Sequence, residues 1–576
     1  MTNEQIATTL EQLADLLEFQ GDNPFRLRAL RNGARVIRDL PEEVADLLAR
    51  GEELTKFDGI GEGVAKKCME LVNTGRLKQI DEILVHTPAS VLDLLRIPKL
   101  GPKKAASLYK ALGITNLDAL QQACEAHQVR ELPGFGEKTE LAILEGMDIV
   151  RQSVGRLLWY QVDHVAKRLV DYLSESSEIN QLAVAGSYRR LRETVGDLDI
   201  VVDADDPQSV MDAFAKYPDI ESLMARGPTK MAVRLKQGGL QVDLRVVPTQ
   251  SFGAALVYFT GSKQHNIDIR SRANKLGLKV NEWGVFREGH EDQSLAGATE
   301  GEVYEALGLA WIPPALRESR REIEWAERRE LPTLIQVSDI RGDLHCHTTA
   351  TDGNATIEEM AQAARQRGLA YLAITDHSQR VTMARGLDAS RLLAQWKDID
   401  ALNQSSNDDF LILKGIECDI LENGQMDLPD DVLSQADWVV ASIHYGQNQP
   451  RAQITDRIIR AIVHPHVSVI AHPTGRLINR RKPYEVDLEA VFQAAREHGK
   501  FMELNANPHR LDLDDVHLMA AKSMGVKIII STDAHGIDEF DHLQYGIHQA
   551  CRAALTVDDV ANTRSWNEIK SRLNKT

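Results

Sequence analysis

From residue 340 onward the chain repeats one plan seven times: a short apolar run closes on a residue able to ligate a metal. The units are 343–347, 372–377, 411–417, 438–444, 467–472, 501–505 and 527–535. Unbroken apolar runs of this length, with helical segments between them, predict strands of a parallel sheet buried on both faces. Polar chemistry at the C-terminal end of each such strand is the layout of a β/α-barrel active site. Histidine is skewed to the same region, with 13 of the 18 in the last 241 residues. One strand-end histidine is most often a structural hydrogen bonder. Six of them (His345, His347, His377, His444, His472 and His535), joined by Asp352, Glu417 and Asp533, favour a metal cluster. His345 and His347 share a strand face, and Cys346 points the other way as packing. Mixed imidazole and carboxylate ligands suit Mn²⁺ or Zn²⁺ better than Mg²⁺, and such a cluster would activate water for phosphoester hydrolysis.

The first 150 residues have a different texture, with helical spacing (Leu10, Leu13, Leu16, Leu17) and Gly-rich turns. Three segments repeat an apolar residue, a glycine turn and a new helix: 57–65 around Gly59 and Gly61, 97–105 around Gly101 and Lys103, and 132–139 around Gly134 and Gly136. Such turns expose backbone N–H groups that hold a phosphate without reading a base. One copy is as readily an ordinary helix corner; three within 80 residues favour DNA binding. They resemble helix-hairpin-helix motifs, with departures at Lys99, which replaces a glycine, and Glu140, where a small residue is usual. The net charge of -18 argues at first against nucleic acid, and each side of residue 335 carries -9. Placement matters more than sign: Arg26, Arg28, Arg31, Arg35 and Arg38 form a stretch with no acid, and residues 97–110 hold four lysines and no acid.

Between these regions lie Gly186-Ser187-Tyr188-Arg189-Arg190 and Gly196-Asp197-Leu198-Asp199. Strand alternation sets Asp197 and Asp199 on one face. Paired carboxylates repel unless cations lie between them, and two Mg²⁺ ions about 4 Å apart would satisfy them and organise phosphoryl transfer. Asp243, central in a strand-like run, is the third carboxylate. Gly186, Ser187 and the Gly196 backbone are expected at a triphosphate, with Arg190 as a charge clamp. Gly-Ser, the Asp pair and a strand Asp together resemble the nucleotidyltransferase superfamily of DNA polymerase beta. Tyr258-Phe259-Thr260-Gly261-Ser262-Lys263-Gln264-His265-Asn266 is similar to the family X polymerase segment at the incoming nucleotide. That resemblance implies Tyr258 and Phe259 beside the sugar, Asn266 at the base edge, and Gly261 as a further dNTP contact. Gln241 stands where polymerase beta has an arginine. Lys67 aligns with the Schiff-base lysine of the eukaryotic lyase domain, with a plain phosphate contact as the alternative.

The seven strand–ligand units resemble the PHP (polymerase and histidinol phosphatase) domain. Carried over, that pattern gives His345, His347, Glu417 and Asp533 to a first metal. A second shares Glu417 and adds His444 and His472; a third takes Asp352, His377 and His535. Arg476 and Arg510 are candidate phosphate contacts or plain surface residues. The whole chain is similar to bacterial-type family X DNA polymerases. The fold expected is an all-α helix-hairpin-helix region, an α+β palm with a thumb, and a distorted seven-stranded β/α PHP barrel. Boundaries are expected at 1–85, 86–150, 151–250, 251–316, a solvated charged linker at 317–337, and 338–576. The function implied is gap-filling addition of dNTPs to a primer 3′ end on gapped or nicked DNA in base excision repair. A Mn²⁺- or Zn²⁺-dependent 3′–5′ exonuclease in the barrel, with abasic-site cutting, accompanies it. The alternative is a non-templated nucleotidyltransferase fused to a small-molecule phosphatase. No apolar run approaches the ~20 residues of a membrane span, the N-terminus lacks a signal-peptide plan, and five scattered cysteines are cytosolic usage. A cytoplasmic monomer is expected.

Overall fold

The computed structural model describes all residues except 2, 39–43, 58, 89, 96, 98, 99, 154, 155, 177, 407, 408 and 574–576. Two compact units emerge: residues 1–154 with 479–482, and residues 155–478 with 483–576.

The first unit is helical. A helix begins directly after each predicted hairpin turn, at Glu62–Thr74, Gly101–Leu112 and Glu137–Ser153. Gly59, Gly101 and Gly134 have φ of +91°, +61° and +82°, so each turn uses a backbone conformation that glycine adopts freely. Lys99 lies outside the described residues, and so do the side chains of Arg35 and Arg38. Glu140, the departure in the third hairpin, is buried. Its carboxylate accepts from the Arg130 amide at 3.0 Å and from Arg130 Nε at 2.7 Å, pinning the segment before the turn. Burial opposes its ionisation, but Arg130 and His127 outweigh that and hold its pKa down.

In the second unit a five-stranded sheet runs in the order Gln181–Val184, Asp197–Asp203, Gln241–Val247, Lys230–Leu235, Ile220–Arg226. Strands Asp197–Asp203 and Gln241–Val247 pair in parallel; their neighbours are antiparallel. Leu198, Ile200 and Val202 alternate into the core and so leave Asp197 and Asp199 on the other face. Helices Phe252–Thr260 and Lys263–Lys275, a three-stranded sheet and helix Glu300–Ala306 follow.

Seven strands then pair in sequence order, all parallel: Gly342–Cys346, Tyr371–Ile374, Leu411–Asp419, Trp438–Ser442, Val469–Ile470, Phe501–Asn505 and Ile528–Ser531. A parallel bridge between Cys346 and Ala534 brings the last strand back to the first. Every described residue of the shorter strands is buried, as a barrel wrapped in helices requires. Cys346 packs in the core as expected.

The charged stretch after residue 317 corrects the expectation of a solvated linker. Helix Glu322–Arg328 is only seven residues long. Arg317 and Glu322 are fully buried: Arg317 binds Glu300 at 2.8 Å, and Glu322 binds the buried His265 at 2.9 Å. Alternating charge suggested a water-facing helix because a sequence does not display which acids have a buried cation waiting.

Candidate active sites

The palm site starts from register. Asp199 lies directly opposite Asp243 in the parallel pair, and Asp197 precedes it by two residues on the same face. Gly186, at φ +64°, opens the short helix Gly186–Arg189; a Cβ there would lie 2.6 Å from Asp199 Oδ2. The turn and the carboxylate are therefore in backbone contact. Burial, then the charges of Asp197 and Asp243, push the Asp199 pKa up to about 7. Crowded carboxylates of this kind fit divalent cations. Gln241 Nε2 donates to Asp243 Oδ2 at 2.7 Å, so a neutral amide orients this carboxylate where a cation was the usual partner. Ser187 Oγ is buried without a hydrogen-bond partner among the described residues.

Two nucleotide contacts need comment. Arg190 is expected as a charge clamp on the triphosphate. Its Nε donates to Glu318 at 3.1 Å and its Nη1 to the Thr260 carbonyl. Its charge is already shared with Glu318, which is largely buried and not solvated. Arg245, two residues past Asp243, lies 4.3 Å from the Phe259 ring centroid. Tyr258 stands edge-on to Phe259 and is more than one-third exposed. Asn266 Nδ2 donates to the Tyr258 carbonyl at 2.7 Å, and Gly261 has φ +69° and abuts Arg190. Gly196 sits against Arg156.

In the first unit, Lys67 Nζ donates to Gln79 Oε1 at 3.0 Å, and Arg26 shares that oxygen at 3.1 Å. Burial and Arg26 lower the Lys67 pKa, the direction a nucleophilic amine needs.

The barrel brings all nine predicted residues together. His347 Nε2 is 3.1 Å from Asp533 Oδ1; His345 Nε2 is 3.5 Å from the same oxygen and 3.6 Å from Glu417 Oε2. Glu417 Oε1 is 3.0 Å from His472 Nε2 and 3.5 Å from His444 Nε2. Asp352 Oδ2 is 3.4 Å from His377 Nε2 and 3.7 Å from His535 Nε2. The sorting into three sets is less clean than expected: His347 also reaches Asp352, and His377 Nδ1 lies 2.7 Å from Glu417. His345 Nε2, His347 Nδ1, His377 Nδ1 and Glu417 Oε2 are buried without a hydrogen bond among the described residues. Unsatisfied ligand atoms turned toward one another fit a divalent cluster. Burial opposes protonation of His377, but Glu417 and Asp352 raise its pKa to about 10; burial and the neighbouring His535 and His377 hold the pKa of His347 below the usual imidazole range.

Two supporting acids stand outside the expected ligand sets, Glu503, which lies in one of the seven strand–ligand units, and Asp419. Glu503 accepts from His345 Nδ1 at 2.6 Å, from the His472 amide at 2.6 Å and from Ser531 Oγ at 2.7 Å. Asp419 is 3.1 Å from His444 Nδ1 and also accepts from the His444 amide. The signal for Asp419 was present: it follows Glu417 by two residues, on the same strand face. Arg510 lies 3.7 Å from Asp533, beside the cluster, whereas Arg476 binds Glu193 at 2.7 Å and turns toward the palm.

A carboxylate-bearing palm sheet joined to a histidine-lined parallel barrel defines a metal-dependent phosphoryl-transfer protein with two centres. Comparison with known proteins agrees. Residues 255–318 match the "DNA polymerase beta thumb", 343–507 the "PHP domain", 1–77 a "Helix-hairpin-helix domain" and 91–147 a "SAM-like Helix-hairpin-helix tandem". The chain is 39% identical, over an alignment of 578 positions that covers 100% of each chain, to the "DNA polymerase/3'-5' exonuclease PolX" of Bacillus subtilis (strain 168). It is 34% identical over 234 residues to a "Probable phosphatase" of Thermoanaerobacter sp. (strain X514), covering 38% of this chain and 89% of that one. A "Probable phosphatase" of Caldanaerobacter subterraneus is 34% identical over 205 residues, 34% of this chain and 75% of the relative. The chain belongs to the bacterial family X DNA polymerases that carry a PHP domain. Among the described residues no helix is long and apolar enough to cross a membrane.

Proposed function

We propose that the chain fills short gaps in DNA during repair and trims 3′ ends in its barrel. It is a DNA polymerase and 3′–5′ exonuclease, it binds DNA, and it depends on divalent metal. The phosphatase relatives match only the barrel, so the reading as a small-molecule phosphatase fused to a non-templated transferase is not favoured. The observation that carries the palm assignment is the register of Asp199 on Asp243 with the Gly186 turn packed against it.

In the palm, Asp197, Asp199 and Asp243 would hold two Mg²⁺, and bound metal there supplies charge neutralisation for in-line phosphoryl transfer. Asp243 is oriented by Gln241 and lies on the strand best placed for the primer 3′-hydroxyl. Ser187 and the Gly186 and Gly196 backbones hold the triphosphate, and Tyr258, Phe259, Gly261 and Asn266 position the sugar and base. In the barrel, His345, His347, Asp352, His377, Glu417, His444, His472, Asp533 and His535 would hold up to three Mn²⁺ or Zn²⁺. Bound metal there lowers the pKa of an attacking water. Glu503 and Asp419 fix the imidazole orientations, and Arg510, 3.7 Å from Asp533, is placed to meet a substrate phosphate. The helical turns at Gly59, Gly61, Gly101, Lys103, Gly134 and Gly136 grip the DNA backbone.

The test is a gapped, 5′-labelled duplex with dNTPs. Asp197→Asn should abolish extension and leave Mn²⁺-dependent shortening; His345→Ala should do the reverse. Extension by Asp197→Asn at the wild-type rate would remove the palm assignment. Lys67 carries a second reading, lyase action on a 5′ sugar phosphate, supported by its lowered pKa. Borohydride trapping of a DNA adduct that disappears in Lys67→Ala is the expected result.

A further inference from the structure

We infer that Arg552, a barrel residue remote from the histidine cluster, is a positioning residue for nucleotide addition in the palm. This rests on the polymerase reading above. Arg552 ends helix Leu543–Arg552 and is buried. Its Nη1 donates to the Arg190 carbonyl at 2.9 Å and to Glu318 Oε1 at 2.9 Å; its Nη2 donates to Asp515 at 2.6 Å. Arg190 caps the short helix that bears Gly186 and Ser187, and its own amide bonds back to the Gly186 carbonyl. Holding the Arg190 carbonyl therefore holds the turn assigned to the triphosphate.

The same helix touches that turn a second time. His548, four residues earlier and on the same face, packs edge-on against Trp159 at 4.6 Å. Trp159 stacks flat on Tyr188 at 4.9 Å, and its Nε1 donates to the Tyr188 carbonyl at 2.8 Å. The helix is itself fixed to the barrel wall, since a Cβ at Gly546 would meet Ile530 at 2.7 Å. Two residues of the turn, Tyr188 and Arg190, are thus located by a rigid element of the other domain.

Charge points the same way. Arg190, Arg192, Arg320 and Arg552 share Glu318 and Asp515, so cations outnumber carboxylates four to two. Without Arg552, Glu318 would draw Arg190 more strongly and the surplus beside the turn would shrink. The buried Ser187 hydroxyl, with no partner among the described residues, lies in the segment so held.

The test uses the full chain and single-nucleotide insertion on gapped DNA, with dNTP KM and kcat measured separately. Exonuclease activity in the same preparation reports that the barrel is folded. In Arg552→Ala the dNTP KM should rise about tenfold, the cost of a misplaced binding group, with exonuclease activity and DNA affinity near wild type. Arg552→Lys, which keeps the charge but cannot make the forked contact, should fall between. His548→Ala should raise KM in the same direction by less. An unchanged dNTP KM in Arg552→Ala overturns the inference. If Arg552→Ala loses both activities, His548→Ala decides, and an unchanged KM there overturns it. Insertion surviving in Asp197→Asn would instead overturn the polymerase reading itself.

Discussion

At Gly186 a single hydrogen in place of a side chain lets the turn that opens helix Gly186–Arg189 rest on the Asp199 carboxylate. A methyl group would sit 2.6 Å from Asp199 Oδ2, at a φ of +64° that disfavours any L side chain. Gly186→Ala should therefore cut nucleotide addition by about 100-fold, as expected for a displaced reacting group, and spare the exonuclease. Steady-state insertion and 3′-end shortening on the same DNA measure both. Glu300 is a second single-residue hinge of stability. It binds Arg189 at 2.7 Å and the fully buried Arg317 at 2.8 Å, tying the same turn to the thumb. Burial opposes its ionisation, but the two arginines hold its pKa down to about 2 from the usual 4.5. A depressed carboxylate contributes stability above its unfolded pKa and loses it as pH falls through the folded one. Glu300→Gln should destabilise by about 3–5 kcal/mol near neutral pH by leaving a buried cation unpaired. The gap from wild type in thermal melts should narrow as pH drops from 4.5 toward 2. Neither role was visible in the sequence: Gly186 announced a phosphate turn, but the partner of Glu300 depends on chain segments brought together only by folding.

The barrel strands are the elements most legible before folding. Runs such as Trp438–Ser442 and Ile528–Ser531 are apolar up to a closing serine because both faces are buried, and each leads into a ligand for the same geometric reason. Membership of the cluster was thus readable, whereas its subdivision was not. His347 reaches both Asp533 and Asp352 because the loop bearing Asp352 folds back over the strand end, which spacing does not encode. The charged stretch 317–330 failed for the converse reason: its pattern is that of a surface helix, yet Arg317 and Glu322 find buried partners. Glu503 illustrates how strands cooperate. From its own strand it fixes His345 and Ser531 on two other strands and the His472 amide just past the end of a third. Glu503→Ala should lower metal affinity about 10- to 100-fold, as loss of such an orienting partner usually does. Equilibrium Mn²⁺ binding by isothermal calorimetry is the measurement, and an unchanged affinity would assign Glu503 to packing alone.

For the whole molecule the informative quantity is where charge and ligands sit, since a net charge of -18 belongs to a chain that binds DNA. Many of its acids are committed: three converge in the palm, three more join the barrel histidines, and Glu300, Glu318 and Asp515 neutralise buried arginines. What the fold adds is two opposed chemistries on one 3′ end, with palm and barrel in a single compact unit. An end extended in the palm is a substrate for the barrel. With gapped DNA, one correct dNTP and Mn²⁺, the wild type should convert dNTP continuously to dNMP while primer length stays constant. Asp197→Asn and His345→Ala should each lose that turnover, by opposite routes. A mixture of the two variants restores both activities but only in separate molecules, so its turnover requires the end to be released and recaptured. If the end passes between sites within one chain, the second event proceeds at the effective concentration set by the tether, on the order of millimolar. Wild-type turnover per molecule should then be independent of protein concentration and resist an excess of unlabelled trap DNA, while turnover by the mixture rises with concentration and is abolished by the trap. Equal sensitivity of the two to the trap would mean that the sites share a polypeptide but exchange their substrate through solution.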